Sequence, residues 1–224
     1  MDKSDPAYAG QKEYKPFFLS IYDGFVLGLM TGLVWQCPKP PIVERYSRLV
    51  GHRHLEVGPG TGYFLDRADL AADTEITLLD PNVNVLRHSA RRLKSMKPHT
   101  VEADVLKPLP VDGPFDSAGL NGVLHCLPGP QQAKAAAVRN IASVLTPEGT
   151  LFGMTILGSS AEHTAHARIF LRQVNQRGTF DNLGGTVEGL RKILEESFRH
   201  VEVEVDGSVA HFTAACPADW SLGV

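Results

Sequence analysis

A carboxylate and three alternate glycines lie close together in the segment HLEVGPGTGYFLD. Glu56 comes two residues before Gly58, and Gly60 and Gly62 follow at the same spacing. Glycines between a strand and a helix let backbone N–H groups approach a nucleotide-like cofactor closely. A carboxylate ahead of such a loop repels a pyrophosphate but attracts an amino group or a sulfonium. The segment therefore favours a cofactor with a zwitterionic amino-acid part; the alternative is that Glu56 is merely solvated at the end of its strand.

The best-known phosphate-binding patterns fit this loop poorly. The dinucleotide fingerprint G-x-G-x-x-G needs its third glycine where the chain has Tyr63, and Gly62 comes one residue early. The phosphate loop G-x-x-x-x-G-K-S/T does not occur in the sequence. These mismatches weaken the case for an NAD-dependent oxidoreductase.

Two aspartates follow predicted strands. Asp80 ends the strand of TLLDPN, and Asp104 follows the strand of VEADVLKPLP. A carboxylate can accept two hydrogen bonds from a diol, and the carboxyl ends of parallel strands meet at one edge of a sheet. We therefore expect both aspartates at the same site as the glycine loop. The alternative is that each only caps the helix or turn that follows it.

His125 is the candidate for the group that takes a proton from a reacting molecule. It follows the fourth predicted strand by four residues, at the edge where ligands bind in open α/β sheets. An unperturbed imidazole changes its charge near neutral pH, which suits a general base. The alternative is a histidine that packs its loop and hydrogen-bonds to backbone.

Two further histidines lie in the segment SSAEHTAHARIF. His163 and His166 are three residues apart and are expected to share one helix face. No acidic cluster accompanies them, so we expect no metal site. We predict a substrate contact for His163, with solvent exposure as the alternative.

Strands alternate with helices along most of the chain, which predicts a parallel sheet with helices on both faces. A turn is expected at TPEGT, and helices near residues 161–177 and 186–197. The last two strands are joined by Asp-Gly-Ser, a hairpin signal. The predicted strands are RHLEVG, EITLLD, HTVEAD, FDSAGLN, LFGMTIL, HVEVEVD and VAHFTAACP.

A long apolar segment near the N-terminus runs from Phe17 to Trp35 and spaces three glycines four residues apart, as close-packing membrane helices do. Asp23 lies inside it, and a charge in a bilayer core costs about 2.5–3.5 kcal/mol. We therefore expect no stable membrane insertion. The prediction is an N-terminal helical lid at residues 1–48 on a core domain at residues 49–224.

Aromatic side chains are frequent in this predicted lid. Tyr14, Tyr22 and Trp35 are candidates for the wall of an apolar substrate pocket. The alternative is that they only pack the lid together. The sequence does not separate these two hypotheses.

Composition limits the classes of partner. The 224 residues carry a net charge of −3 without any block of like charges, so the electrostatic footprint of a nucleic-acid-binding protein is missing. Cys37, Cys126 and Cys216 are too widely spaced for a zinc cluster and favour a reducing, cytoplasmic setting. The first residues also lack the pattern of a signal peptide.

The segment LEVGPGTGYF resembles the first motif of the class I S-adenosylmethionine-dependent methyltransferases, E/D-x-G-x-G-x-G. The resemblance extends in motif order over residues 53–217. It implies that Glu56, Gly58, Gly60 and Gly62 contact S-adenosyl-L-methionine. The implied fold is α/β and Rossmann-like, with a seven-stranded mostly parallel sheet and a C-terminal antiparallel hairpin.

The resemblance also implies the other cofactor contacts. Asp80, followed by Pro81, would take the ribose hydroxyls. Asp104 would meet the adenine amine, with the backbone N–H of Val105 beside it. Asn121 ends the strand of PFDSAGLN and would lie beside the methionine part.

Several branches of the family fit poorly. Asn121 is followed by Gly-Val-Leu, not by the Pro-Pro-Tyr/Phe of amino-methylating nucleic-acid enzymes. Metal-dependent catechol enzymes need a carboxylate near this position, and the double-glutamate loop of protein arginine methyltransferases is not seen. The remaining expectation is methyl transfer to a small, apolar or aromatic metabolite, with oxygen as the first choice and nitrogen or sulfur as alternatives.

A competing hypothesis is a protein on the same fold that does not methylate, because fold does not dictate function. Such a protein would use the cofactor only structurally or as a positive charge, or would be a binding protein. The expected partner in either case is a small molecule, with a homodimer possible and no nucleic acid.

Overall fold

The computed structural model describes residues 39–159 and 163–218. Tyr14, Tyr22, Trp35 and the apolar segment from Phe17 lie outside these residues. Helices are α1 (Lys39–Leu49), α2 (Tyr63–Arg67), α3 (Val83–Arg92), α4 (Ala135–Ala142), α5 (Ala165–Gln176) and α6 (Val187–Glu195). Strands are β1 (Arg53–Val57), β2 (Glu75–Leu79), β3 (His99–Val101), β4 (Phe115–Asn121), β5 (Leu145–Ile156), β6 (Phe198–Asp206) and β7 (Val209–Pro217).

These strands form one seven-stranded sheet in the order β3-β2-β1-β4-β5-β7-β6. Strand β1 pairs in parallel with β2 and β4, β2 with β3, and β4 with β5. Strand β7 lies antiparallel between β5 and β6. The mostly parallel sheet with a C-terminal antiparallel hairpin, predicted from the sequence, is confirmed.

Strand β5 begins earlier than the sequence predicts. The segment TPEGT, expected as a turn, lies inside the strand. Phe115 pairs with Leu145 and Ser117 with Thr150, so residues 146–149 bulge opposite a single residue of β4. These residues are thus accommodated as a β-bulge, and the pairing between β4 and β5 continues before and after it.

Helices cover both faces of the sheet. The central strands β1 and β4 are buried almost throughout, because parallel strands between two helical layers are apolar on both faces. One core cluster joins the sheet to α4 and α6, and a second joins it to α1, α2, α3 and α5. Helix residues in these clusters include Ala137, Ile141, Leu190 and Ile193 in the first, and Ile42, Tyr46, Leu65, Leu86 and Leu171 in the second.

Helix α1 spans the predicted boundary between lid and core. Ile42 and Tyr46 are each 1% exposed. The guanidinium of Arg45 donates to the backbone oxygen of Phe212 at 3.0 Å and to Thr213 Oγ1 at 2.8 Å. The described part of this segment therefore packs against the sheet, and the division at residue 48 stays a prediction. In the described ranges, the helices are too short or too polar to cross a membrane.

Candidate active site

The register of the sheet brings the predicted site residues to one edge. Glu56 pairs with Gly119 of β4, which places Asn121 at the end of β4 two residues further on. The backbone N–H of Gly58 donates to the oxygen of Leu79 at 2.8 Å. The glycine loop therefore starts between the carboxyl ends of β2 and β4.

The loop glycines are required by the backbone conformation. Gly58, Gly60 and Gly62 have φ values of 67°, 54° and 75°, a left-handed region that costs other residues energy. A Cβ at Gly58 would collide with the side chain of Val123, whereas one at Gly60 would meet nothing within 4 Å. Gly58 thus serves a close approach to the loop after β4, and Gly60 borders open space.

Asp80 lies directly after β2 and is partly buried. Its Oδ1 accepts a hydrogen bond from the backbone N–H of Asn82 at 2.7 Å. Helix α3 is capped by Asn82, whose own Oδ1 accepts from the N–H of Asn84, so Asp80 is not the helix cap. Burial raises the pKa of Asp80 to about 7, against the opposing hydrogen bond from Asn82.

Asp104 is held in the turn that follows β3. Its Oδ1 accepts from the backbone N–H of Leu106 at 3.0 Å, and its Oδ2 lies 3.8 Å from Lys107 Nζ. The backbone oxygen of Val105 accepts from Asn140 Nδ2 at 2.9 Å. These contacts hold the turn at the end of β3 in one conformation.

Glu56 is buried, with 3% exposure, so the alternative of a solvated strand-end carboxylate is wrong. Tyr46 donates its hydroxyl proton to Oε1 at 2.6 Å. The Nε2 of His54 lies 3.0 Å from Oε2. Gly119 leaves room for this carboxylate, since a Cβ there would collide with it.

The hydrogen bonds of Glu56 belong to a longer buried chain. The backbone N–H of Gly51 donates to Ser117 Oγ at 2.8 Å, and Ser117 Oγ lies 2.8 Å from His54 Nδ1. At the other end, Asn121 Nδ2 donates to the Tyr46 hydroxyl oxygen at 2.8 Å. With Nε2 of His54 donating to Glu56 and the Ser117 hydroxyl donating to Nδ1, every donor in this chain has an acceptor. The chain therefore links the amino end of β4 to the cofactor edge.

Burial and the neighbouring carboxylate of Glu56 raise the pKa of Tyr46 well above its usual value. The phenol therefore remains a donor to Glu56 and an acceptor from Asn121. Sequence reasoning did not single out Tyr46 or His54. The spacing of His54 and Glu56 by two residues, which places both on one face of β1, is the sequence signal from which their contact could have been predicted.

His125 is buried, with 7% exposure. Its Nδ1 accepts from the backbone N–H of Ile156 at 3.2 Å, and its ring centroid lies 4.4 Å from that of Phe180. Burial, and then the charge of Lys134, lower the pKa of His125 to about 3. The ring is therefore neutral and carries its proton on Nε2. The titration near neutral pH expected from the sequence does not arise here, and the role as a base stays a prediction.

A cavity of about 760 Å³ opens beside His125, within the range of about 300–1,000 Å³ common for small-molecule sites. It is bounded by the loop after β4, the end of β5, the end of α5, residues 178–185 and one side of α6. The glycine loop does not line it; the cavity borders this edge of the sheet through the loop after β4 and the end of β5. Its walls include Leu124, Ile156, Phe180, Leu190 and Ile193, and its polar groups include His125 and Lys134.

His163 lies ahead of α5, which begins after its N-cap Thr164. His163 and His166 therefore do not share a helix face, contrary to the expectation. The two ring nitrogens of His163 lie 2.8 Å from Ser208 Oγ and 3.2 Å from the backbone oxygen of Gly158. The ring thus ties the start of α5 to the turn between β6 and β7, and its substrate contact stays a prediction.

Known proteins share this sequence and fold. A family model described as a methyltransferase domain matches residues 55–151. The chain is 38% identical over 207 residues to demethylluteothin O-methyltransferase of Streptomyces thioluteus, covering 92% of this chain and 90% of that protein. It is 33% identical over 220 residues to the physcion biosynthesis cluster O-methyltransferase of Aspergillus chevalieri, covering 97% of this chain and 99% of that protein.

A solved structure with the same fold is the N-methyltransferase NodS of Bradyrhizobium japonicum in complex with S-adenosyl-L-homocysteine. Its TM-score is 0.56 at 16% identity, over 77% of this chain and 82% of NodS. The strand order, the glycine loop and the extent of the match to the O-methyltransferases lead to one family. The chain belongs to the class I S-adenosylmethionine-dependent methyltransferases and uses S-adenosylmethionine as its cofactor.

Proposed function

We propose that the protein transfers the methyl group of S-adenosylmethionine to a hydroxyl oxygen of a small, apolar or aromatic metabolite. The observation that carries this is the cavity beside His125, whose size and largely apolar walls suit such an acceptor. Two relatives with nearly full-length similarity are O-methyltransferases, which favours oxygen over nitrogen or sulfur.

The glycine loop and the strand ends fit the cofactor. Gly60 borders open space, and Asp80 Oδ2 meets no donor among the described residues, so it is available to ribose hydroxyls. When bound, the cofactor supplies a methyl group activated by a positively charged sulfur. The residues proposed to hold it are Gly58, Gly60, Gly62, Asp80, Pro81, Asp104, Val105 and Asn121.

Asn121 is proposed to bind the amino group of the cofactor. Its Nδ2 donates to Tyr46, which turns Oδ1 away from the chain of hydrogen bonds and leaves it as an acceptor. Both oxygens of Glu56 are already engaged by Tyr46 and His54. Glu56 therefore acts through its negative charge and by holding Tyr46 in place.

His125 is proposed to contact the acceptor, because it lines the cavity. Nδ1 of the neutral ring accepts from Ile156 and Nε2 carries the proton, so the ring could take a proton only by giving up that hydrogen bond, and its pKa of about 3 would make it a weak base. The site therefore suits a hydroxyl that is itself acidic, such as a phenol or an enol. The surrounding apolar walls exclude water from the reacting atoms.

A matched panel of acceptors tests the proposal. Purified protein is incubated with methyl-labelled S-adenosylmethionine and 2-naphthol, 2-naphthylamine or 2-naphthalenethiol, and products are identified by mass spectrometry. The expected result is a labelled methyl ether of the naphthol, lost in an Asp80→Ala variant. Product on nitrogen or sulfur alone overturns the choice of oxygen. No labelled product from a wider panel of phenols and enols, with cofactor binding intact, overturns the proposed acceptor class.

A further inference from the structure

Lys134 is a buried cation on the wall of the cavity. Lys134 is only 4% exposed, and it lines the same cavity as His125. Its Nζ donates to the backbone oxygen of Asp181 at 2.5 Å. It forms no ion pair with a residue that the structure describes, and an ammonium group has three protons to donate.

The charge around the cavity is unbalanced. Arg172, which is exposed to solvent, also lines it, and Asp181 is the carboxylate among its lining residues. The Oδ2 of Asp181 accepts from the backbone N–H of Gly129 at 2.7 Å, and the residue is exposed to solvent. His125 is neutral. The cavity therefore carries an excess of positive charge in a chain whose net charge is −3.

A buried ammonium that forms no ion pair is costly, because little Coulombic attraction offsets its removal from water. Burial lowers the pKa of Lys134, which the charge of Asp181 opposes only in part. The hydrogen bond to Asp181 anchors residues 178–185, but a neutral side chain would serve that purpose without the desolvation cost. The charge itself therefore points to a ligand.

We propose that the cavity binds its methyl acceptor through an anionic oxygen group, a carboxylate or a phenolate, that lies against the ammonium of Lys134. The inference rests on the proposed function and names the class of acceptor. An acceptor that arrives as an oxyanion needs no strong base, which agrees with the neutral, buried ring of His125. If the oxyanion is itself the nucleophile, its electron pair forms the new O–C bond while the C–S pair returns to sulfur, and no proton is transferred.

Matched probes on the full chain test the proposal. Protein saturated with S-adenosyl-L-homocysteine is titrated calorimetrically with 2-naphthoate and with 2-naphthamide, which differ mainly in charge. We expect 2-naphthoate to bind the wild type at least tenfold more tightly than 2-naphthamide. A ratio near one overturns the proposal, and this comparison needs no variant.

Variants assign the selectivity to Lys134. Lys134→Met should bring the ratio of acid to amide affinity to about one, and Lys134→Arg should largely restore it. Lys192→Met, at an exposed position of α6 outside the cavity, is the control and should leave the ratio unchanged. Retention of the ratio in a folded Lys134→Met protein overturns the assignment.

The probes also separate an anchoring oxyanion from a reacting one. If 2-naphthol is methylated and its KM rises in Lys134→Met, a phenolate lies against Lys134. If 6-hydroxy-2-naphthoate is methylated in preference to 2-naphthol, a carboxylate is the anchor. Methylation of neutral phenols with no dependence on Lys134 overturns this inference and leaves the proposed function intact. Cofactor binding without methylation of any panel member counts instead against the proposed function.

Discussion

Asp80 connects the charge state of one carboxyl group to cofactor affinity. Its folded-state pKa of about 7 exceeds the usual 3.8 because of burial. Below about pH 7 the carboxyl group of Asp80 in the free protein is therefore protonated. The free energy of unfolding falls as the pH rises from 3.8 to about 7. Ribose hydroxyls donate to the charged form, so cofactor binding should release the proton.

The first prediction follows from this release of a proton on cofactor binding. The affinity for S-adenosyl-L-homocysteine should rise with pH and level off above about 7, with a limiting slope of about tenfold per pH unit below it. Calorimetry between pH 5.5 and 8.5 measures it. Asp80→Asn should bind weakly at every pH, yet melt at a higher temperature than the free wild type at pH 8. A flat affinity profile for the wild type contradicts the assignment.

Tyr46 is predicted to act on the cofactor through Asn121. Tyr46→Phe removes the bonds to Glu56 and Asn121, and should weaken S-adenosyl-L-homocysteine binding by about tenfold, the value of one to two hydrogen bonds. In an Asn121→Ala background, the same substitution should have little further effect on Kd. Additive losses in this double-mutant cycle would show that Tyr46 only supports the fold.

His125 is predicted not to titrate near neutrality. The pH–rate profile of the wild type should lack a limb from this imidazole between pH 5.5 and 8.5, because its pKa is about 3. His125→Asn keeps an acceptor for the N–H of Ile156 and should lower kcat by about 100-fold with little change in Tm. An unchanged kcat in a stable variant would leave His125 with a packing role alone.

At the scale of elements, the loop between β1 and α2 has two kinds of glycine. Gly58→Ala adds a collision with Val123 to the strain of a positive φ, whereas Gly60→Ala adds strain alone, about 1–3 kcal/mol. Gly58→Ala should therefore lower the free energy of unfolding more, and Val123→Ala should recover part of that loss. Urea unfolding measures both.

The variants Gly58→Ala and Gly60→Ala also separate an effect on folding from an effect on cofactor binding. Gly60→Ala should fold and still lose affinity for S-adenosyl-L-homocysteine, because its methyl group projects into the open space beside the loop. Calorimetry on the folded variant measures the loss. Unchanged affinity in Gly60→Ala would place the cofactor away from this residue.

For the whole molecule, cofactor binding should appear as global stabilisation. S-adenosyl-L-homocysteine at 100 times its Kd should add about 2.7 kcal/mol, which for a chain of this size raises Tm by about 5–10 °C. Differential scanning calorimetry measures the shift, with NAD at the same concentration as control. A shift with NAD and none with the sulfur compound would contradict the cofactor assignment.

The sequence by itself determined the order of strands and helices along the chain, and it predicted the place of the cofactor edge. Alternation of apolar strands with amphipathic helices is a local pattern, and so is the glycine spacing of Gly58, Gly60 and Gly62, which follows from backbone conformation. Local chemistry therefore predicted the sheet and the hairpin, and the resemblance of the motifs predicted the family. It failed at TPEGT, because pairing with β4 on both sides incorporates these residues as a bulge.

Only the tertiary structure decided which polar groups meet. Asn121 and Tyr46 are 75 residues apart, Ser117 and His54 63 apart, and no local pattern joins them. The pKa of His125 and the charge of the cavity at Lys134 likewise depend on burial by distant segments. Desolvation and long-range hydrogen bonds are properties of the packed chain, so spacing along the sequence predicted the site, whereas packing set the electrostatics of its residues.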